Sequence, residues 1–198
     1  IMSDTICVFS LERSYSMPVE PEILKRREIT KTRLFRVEEL ELKFSNGVER
    51  IYERLCHPAH TAVLVVPMLD DDTVLLIREY GAGVERYELG LPKGAVHAGE
   101  ERLAAANREL MEEAGYGAHH LEFIKRVTLS PAYMSHSIDV ILAQDLYEKR
   151  LPGDEPECIE VVPWSLSNLD ELVARDDFTE GRSLVALYMI RDRLKKKG

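Results

Sequence analysis

The sequence predicts a mixed α/β fold, in which a mixed sheet carries helices on its faces. Strand-like patterns, either alternating or continuously apolar, occur within 33–91 and again within 121–164. A helical pattern lies between them at 100–114, and two further helical patterns follow within 167–195. This order, a run of strands, one helix, further strands and then two helices, is typical of a mixed sheet covered by helices.

The first predicted element is a β-hairpin in a small N-terminal unit. Residues 33–42 alternate apolar and polar side chains, and residues 48–55 alternate again. Between them lies Ser45-Asn46-Gly47, which favours a tight turn because Asn and Gly tolerate positive φ. A hairpin of this size is not stable alone in water, so we expect it to pack against another surface.

Two buried strands are predicted next. Residues 61–69 are continuously apolar, which indicates a central strand, and 73–80 are interpreted as its partner. The acidic triplet at 70–72 is interpreted as the turn that joins them. A metal site there would need a glycine-bearing loop and a distal glutamate, whereas a turn needs nothing more. A loop at 81–85 then leads through 86–91 to Gly94.

The most informative feature is a group of carboxylates on the helix predicted at 100–114. Glu109, Glu112 and Glu113 fall at positions i, i+3 and i+4, so they share one helix face. Like charges stacked in this way destabilise an isolated helix, and a bound counter-ion relieves that cost. Oxygen ligands on a rigid face suit a hard cation, so the sequence predicts a site for Mg²⁺, with Mn²⁺ as the alternative.

The remaining elements follow from the same periodicities. The acidic helix ends at Gly115 and Gly117, and its buried stripe is predicted to consist of Leu103, Ala106 and Leu110. Strands are predicted at 121–129, 137–143 and 159–164, followed by a helix at 167–174 with Ser167 as its N-cap. The last helix is predicted at 179–195, with Leu184, Leu187, Tyr188 and Leu194 facing inward.

Composition narrows the functional classes. A net charge of −9 and a pI near 5.3 argue against a nucleic-acid partner, which would require a basic surface. No segment approaches the roughly 18 apolar residues of a membrane span, so no membrane partner is expected. Three widely spaced cysteines imply neither a disulfide framework nor a zinc motif, which favours a cytoplasmic location. We expect a disordered or upstream extension at 1–20, an N-terminal β unit at 21–57 and the main domain at 58–198.

The segment 94–116 resembles the Nudix box, G-x5-E-x7-R-E-U-x-E-E-x-G-U, in which U is a bulky aliphatic residue. Leu110 fills the first U position, and Tyr116 fills the last with an aromatic side chain. The resemblance implies an α/β/α Nudix sandwich and a metal-dependent enzyme that hydrolyses nucleoside diphosphates linked to another group. The residues that match the fixed letters are Gly94, Glu100, Arg108, Glu109, Glu112, Glu113 and Gly115.

The resemblance also implies roles for individual residues. Glu109, Glu112 and Glu113 correspond to the metal ligands, and the carbonyl of Lys93 occupies a position that often adds another. Glu112 and Glu113 therefore count as catalytic residues, and Arg108 joins them as a supporting or catalytic group, with a plain salt bridge as the alternative.

The box supplies no free base to take a proton from water. In related enzymes this role often falls to a glutamate on a mobile loop late in the chain. Here Glu157 is the first candidate and Glu155 the second, while Glu160 is less favoured because it begins the next strand. A merely solvated acidic loop is the alternative for each.

Features outside the box resemble the ADP-ribose pyrophosphatase branch. Pro131, fifteen residues beyond Tyr116, marks that branch and is a candidate substrate-binding residue, and an ordinary turn proline is the alternative. Three segments, RLFRVEELELKFSNGVERIYER, YELGLPKG and QDLYEKRLPGDEPE, are similar to the ADP compounds hydrolase (NudE) group, and the similarity covers about residues 20–195. The branch implies a homodimer formed through the N-terminal unit. It also implies an aromatic residue that holds the adenosine half, for which the candidates are Phe35, Tyr80 and Tyr87, with core packing as the alternative for Phe35.

Two departures from the branch favour a broader substrate range. The branch has a glutamine-tyrosine-arginine run where this chain has Arg78-Glu79-Tyr80-Gly81, and a Pro-Ala-Gly loop where this chain has Pro92-Lys93-Gly94. The expected small-molecule substrates are ADP-ribose, NADH and diadenosine polyphosphates. The alternatives are a nucleoside triphosphate pyrophosphohydrolase and a non-catalytic binding module, which would usually lack one of the box carboxylates.

Overall fold

The computed structural model describes residues 17–56, 62–153 and 156–196, so most of the predicted extension at 1–20 lies outside it. Ten strands and three α-helices are present in this part of the chain. The strands are β1 (Glu22–Lys31), β2 (Arg36–Lys43), β3 (Glu49–Cys56), β4 (Ala62–Pro67), β5 (Thr73–Gly81), β6 (Arg86–Gly90), β7 (Lys93–Ala95), β8 (Tyr116–Thr128), β9 (Ser137–Glu148) and β10 (Glu160–Ser165). The helices are α1 (Arg102–Glu109), continued by a π-helical turn (Leu110–Ala114), then a 3-10 turn (Leu166–Asn168), α2 (Leu169–Val173) and α3 (Gly181–Lys195).

The described strands form three sheets. The N-terminal sheet has the order β1-β2-β3 and is antiparallel, and a second antiparallel sheet has the order β10-β5-β6. The third sheet, β7-β4-β9-β8, is mixed because β4 and β9 run parallel while their other partners run antiparallel. The predicted mixed α/β class is therefore confirmed.

The N-terminal sheet contains the predicted hairpin and one strand that was not predicted. β2 and β3 pair from Lys43↔Glu49, and Gly47 adopts a φ of 81° in the turn between them. β1 adds a third strand, all of whose residues are exposed. Its pairing with β2 is interrupted between Ile23 and Lys25 and again between Glu28 and Thr30, so its sequence does not alternate regularly.

The central strand β4 is buried on both faces, as predicted. Val63 and Val65 pack in a core beneath α1, whereas Leu64 and Val66 pack in a second core that includes α3. The prediction that β5 pairs with β4 was wrong, because β5 lies between β10 and β6 and is joined to the β4 segment by a single bridge, Met68↔Val74.

The acidic triplet at 70–72 forms a turn, as predicted, and it explains why β5 leaves β4. Asp70 Oδ1 accepts hydrogen bonds from the backbone N–H groups of Asp72 and Thr73, at 2.9 and 2.7 Å. Asp72 accepts from the hydroxyl of Ser165 and from both the backbone N–H and the hydroxyl of Ser167. These bonds direct the chain towards β10 rather than back along β4.

Two details of the helices differ from the predictions. Ser167 is not an N-cap, since its donors bond Asp72 and Asn168 occupies the cap of α2 without a side-chain capping bond. Ala106 and Leu110 lie in the buried stripe, as predicted, but Leu103 is 36% exposed in the first turn of α1, and the stripe also contains Ala105 and Ala114. In α3, Leu187 is buried and Leu184, Tyr188 and Leu194 pack against the core, as predicted.

Within the described residues, every helix is too short or too polar to cross a lipid bilayer.

Candidate active site

The site begins where β7 passes beneath the carboxylate face of α1. The segment around Gly94, predicted as a loop, is a short strand in which Gly94 pairs with Val63 of β4. A Cβ at Gly94 would overlap the carboxyl group of Glu109, which is itself only 8% exposed. The sequence therefore needs glycine here so that the backbone can pass directly against this carboxylate.

Replacing Gly94 with Ala should displace the Glu109 side chain and weaken binding of Mn²⁺ by about tenfold, the scale of changes in groups that position metal ligands. The affinity can be measured by isothermal titration calorimetry with MnCl₂. Gly83→Ala is the matched control, because nothing lies within 4 Å of the added methyl group. Equal Mn²⁺ affinity in the two variants would contradict this role for Gly94.

Arg108 connects the carboxylates on this face. Its guanidinium forms a bidentate salt bridge with Glu100, in which Nε donates at 2.9 Å and Nη2 at 3.1 Å. Its Nη1 also donates to Glu109 Oε1 and to Glu112 Oε2, each at 2.8 Å, and Nη2 donates to the carbonyl of Ala95. These carboxylate partners raise the pKa of Arg108, so it stays charged and positions the side chains that it contacts.

Glu113 is the most buried of the three predicted ligands, with 3% exposure. Its Oε2 accepts a hydrogen bond of 2.8 Å from the backbone N–H of Lys93. Burial, opposed by Lys93 and aided by nearby Glu79 and Glu109, raises the pKa of Glu113 to about 8. Without an added positive charge the ionised form of Glu113 is therefore disfavoured at neutral pH.

The donor set fits a hard divalent cation. Glu109, Glu112 and Glu113 offer oxygen ligands on one face, and a bound cation would offset the cost of ionising the buried Glu113. In the described part of the chain, no three acidic, histidine or cysteine side chains are already arranged to coordinate a metal. Arg108 accounts for this arrangement, since its guanidinium draws Glu109 and Glu112 towards itself.

Three other predicted site residues lie together, namely Tyr80 on β5, Tyr87 on β6 and Glu157 next to them. Tyr80 and Tyr87 are cross-strand partners, and their rings meet edge to face with centroids 5.4 Å apart. The hydroxyl of Tyr87 donates a hydrogen bond to Glu157. These three residues line a cavity of about 340 Å³, here called the tyrosine cavity, together with Arg78, Glu79, Glu160 and residues 156–159.

Sequence reasoning missed the ionic network behind the tyrosine cavity. Arg78 donates through Nε to Glu160 and through Nη1 to Asp177, both at 2.8 Å. Arg175 also bonds Asp177, and the two arginines hold the pKa of that carboxyl below its usual range. The partners of Arg78 lie 82 and 99 residues away in the chain, so no local sequence pattern connects them.

A fourth carboxylate, Glu79, was also missed. It lies two residues after Ile77, which packs beneath α1, so both side chains leave the same face of β5. Glu79 Oε2 accepts a bond of 2.6 Å from Lys93 Nζ. Both residues line a cavity of about 460 Å³, here called the lysine cavity, with Tyr80, Thr179, Arg182 and residues 81–84 among its other walls.

The structure does not bring every candidate to these cavities. Phe35 lies in the turn between β1 and β2, is 44% exposed and does not belong to the core. Pro131 is exposed in the β8–β9 connection, in which Tyr133 and Ser135 hydrogen-bond the backbone of Leu55 in the N-terminal sheet. Glu155 lies outside the described residues.

The chain is similar to known proteins along most of its length. It matches the models of the NudE-type Nudix hydrolase N-terminal domain at 21–54 and of the NUDIX domain at 58–188. It is 45% identical to the ADP compounds hydrolase NudE of Escherichia coli, over 90% of this chain and 96% of that protein. It is 29% identical to the ADP-ribose pyrophosphatase of Bacillus subtilis, over 85% of this chain and 94% of that protein. A crystal structure of an ADP compounds hydrolase superposes with a TM-score of 0.85 at 44% identity, covering 93% of this chain and 99% of that one.

Proposed function

Because the chain belongs to the Nudix hydrolases of the NudE type, we propose that it hydrolyses the pyrophosphate bond of ADP-linked compounds. Its substrates are ADP-ribose, NADH and diadenosine polyphosphates, and its products are AMP or ADP and a second phosphorylated compound. The observation that carries this proposal is the complete set of box carboxylates on one helix face, with Glu113 buried against the backbone of Lys93.

The ions proposed for the site are Mg²⁺ or Mn²⁺, held by Glu109, Glu112, Glu113 and the carbonyl of Lys93. When bound, such ions neutralise phosphate charge and lower the pKa of water. The protein's own contribution is to fix the ligands. Arg108 contacts Glu109 and Glu112, and the N–H of Lys93 holds Glu113, so three carboxylates are oriented before substrate arrives.

Glu157 is the proposed general base. The oxygen of the attacking water would form a new bond to phosphorus, the bridging P–O bond would break with its electron pair on the departing phosphate, and one water proton would pass to the Glu157 carboxylate. Tyr87 donates a hydrogen bond to this carboxylate and thereby orients it. Glu155 remains the second candidate for this role.

The tyrosine cavity is proposed to hold the adenosine half of the substrate. Its volume of about 340 Å³ and its two aromatic rings suit a stacked base, and such stacking contributes about 1–3 kcal/mol. Phe35 is proposed to reach the site from the N-terminal sheet of a second subunit, because its ring is exposed on this chain.

Turnover with Mg²⁺ separates the proposed function from its alternatives. ADP-ribose, NADH and diadenosine triphosphate should be cleaved much faster than a nucleoside triphosphate. The reverse ranking would identify a nucleoside triphosphate pyrophosphohydrolase. Binding without cleavage of either class would identify a binding module.

The N-terminal sheet is the proposed dimer interface. On one face of this sheet, alternate residues of the strands include the apolar side chains Ile23, Leu40, Leu42 and Tyr52. Two of them are largely exposed, Ile23 at 48% and Tyr52 at 44%. Exposed large apolar side chains on a three-stranded sheet are a surface that a partner would cover. We therefore expect the protein at micromolar concentration to have twice its chain mass of 22.6 kDa, measured by light scattering.

Tyr52→Arg should shift this mass towards that of a monomer, because it replaces an exposed ring between Arg50 and Arg54 with a third like charge on the same face. Glu53→Arg is the matched control, since adjacent residues of a strand point to opposite faces. A monomeric mass for the unmodified protein would refute the interface.

A further inference from the structure

We propose that the side chain of Lys93 binds a phosphate of the substrate diphosphate and that Glu79 holds the ammonium group in place for it. This inference rests on and deepens the proposed function, and it assigns a substrate-binding role to a residue outside the Nudix box. The ammonium group of Lys93 is the group involved, whereas the backbone carbonyl of the same residue is the proposed metal ligand.

Lys93 touches both the carboxylate face and the cavity wall. Its backbone lies in β7, and its N–H donates to Glu113 at 2.8 Å. Its side chain extends to Glu79, with Nζ 2.6 Å from Oε2, and both side chains line the lysine cavity. A diphosphate bound beside Glu113 would therefore come next to this ammonium group.

Other cations near the cavities either bond several partners already or lie on a different element from the carboxylate face. Arg108 bonds three carboxylates and a carbonyl, and Arg78 bonds Glu160 and Asp177. Arg182 also lines the lysine cavity, but it lies on α3 and bonds Glu180 at the start of that helix, whereas Lys93 is joined through its own backbone to Glu113. Among the described residues, the Lys93 ammonium bonds one side chain, Glu79, and an ammonium carries three N–H donors, so two remain for phosphate oxygens.

The charge of the site calls for such a donor. Glu79 and Glu113 both bond Lys93, and Glu109 and Glu112 both bond Arg108 Nη1, so four carboxylates are gathered here, and carboxylates at this density repel a polyphosphate. Divalent cations offset part of this repulsion on the side that they face. Phosphate oxygens that point away from the cations still need positive donors, and a compact ammonium on a flexible stem can supply them.

Glu79 serves as the positioning residue. Its carboxylate is anchored on β5, on the same face as Ile77, and it holds Lys93 Nζ at the boundary between the two cavities, both of which it lines. A bound phosphate would use the two N–H donors that Glu79 leaves open. Glutamine keeps an oxygen that can accept the Lys93 bond and removes a negative charge, so Glu79→Gln should leave phosphate binding intact or strengthen it.

The test measures binding of inorganic pyrophosphate to the full-length, Mn²⁺-loaded protein by calorimetry. Lys93→Met keeps the length of the stem and the backbone groups but removes the charge, and it should weaken pyrophosphate binding by about tenfold or more, the scale of a charged hydrogen bond. Its Mn²⁺ affinity should change less than about threefold, since the backbone N–H to Glu113 is retained. Lys93→Arg should restore most of the pyrophosphate binding.

Lys125→Met is the matched control, because Lys125 is exposed on β8 and lines neither cavity. It should bind pyrophosphate as the unmodified protein does, and Glu79→Gln should bind it at least as tightly. Pyrophosphate affinity unchanged within twofold in Lys93→Met would overturn the proposal, and so would equal losses of pyrophosphate and Mn²⁺ binding. If ADP-ribose is not cleaved but pyrophosphate binding still depends on Lys93, the proposed function fails while the Lys93 assignment stands.

Discussion

Replacing Glu113 with Gln is expected to lower the turnover of ADP-ribose at least about a hundredfold, the scale of losing one catalytic group. Glu113 is 3% exposed and lies against the backbone of Lys93, so water cannot take over its position. Glutamine keeps the shape of the side chain and an oxygen that accepts the Lys93 N–H. The variant therefore isolates the effect of the negative charge that a divalent cation requires.

The same variant should not lose stability in the absence of cations. The folded-state pKa of Glu113 is raised to about 8 by burial, above its ordinary value of 4.5. Its ionisation therefore disfavours the folded state as the pH rises above about 4.5, and this cost is complete above about 8. Glu113→Gln removes the cost, so its Tm at pH 8 in a chelating buffer should equal or exceed that of the unmodified protein.

Added Mg²⁺ provides the complementary control. It should raise the Tm of the unmodified protein and raise that of Glu113→Gln much less, because a ligand stabilises only the state that binds it. Near-normal turnover in a folded Glu113→Gln protein would remove Glu113 from the metal site.

Local patterns predicted the helix face and the central strand, because both depend on spacing within a few residues. Glu109, Glu112 and Glu113 share a face at α-helical spacing, and Glu109 and Glu112 both still reach Arg108 Nη1 although the helix becomes π-helical at Leu110. The continuous apolar run of β4 required burial on both sides. The stripe of α1 was less predictable, because Leu103 is the larger residue but the small Ala105 is the one that packs in the core. Size alone does not reveal which side of a helix approaches a sheet closely.

Longer-range features could not be read from the sequence. The pairing of β5 with β10 joins Arg78 to Glu160, and the bonds that direct it come from Asp72 to Ser165 and Ser167. Glu79 is a different case, since its spacing from Ile77 already indicated the face of β5 that it shares. The departures from the branch at Glu79 and at Lys93 were visible separately, and only the structure shows that the two side chains bond each other.

Replacing Glu157 with Gln is the second change expected to have a large effect. Turnover of ADP-ribose should fall about a hundredfold, at the lower end of the range for a general base, while KM stays nearly unchanged. The physical reason is that glutamine retains an oxygen that accepts the bond from Tyr87 but cannot take a proton from water. Steady-state kinetics with saturating Mg²⁺ would give kcat and KM separately.

Two matched variants distinguish a base from a merely acidic loop. Glu160→Gln removes a carboxylate from the same cavity, but that group pairs with Arg78 rather than Tyr87, so kcat should fall far less. Tyr87→Phe keeps the ring that meets Tyr80 and removes only the hydroxyl that orients Glu157, so it should lower kcat by about tenfold, less than Glu157→Gln. If Glu157→Gln and Glu155→Gln both retain full turnover, the base lies elsewhere or the bound cations alone generate the hydroxide.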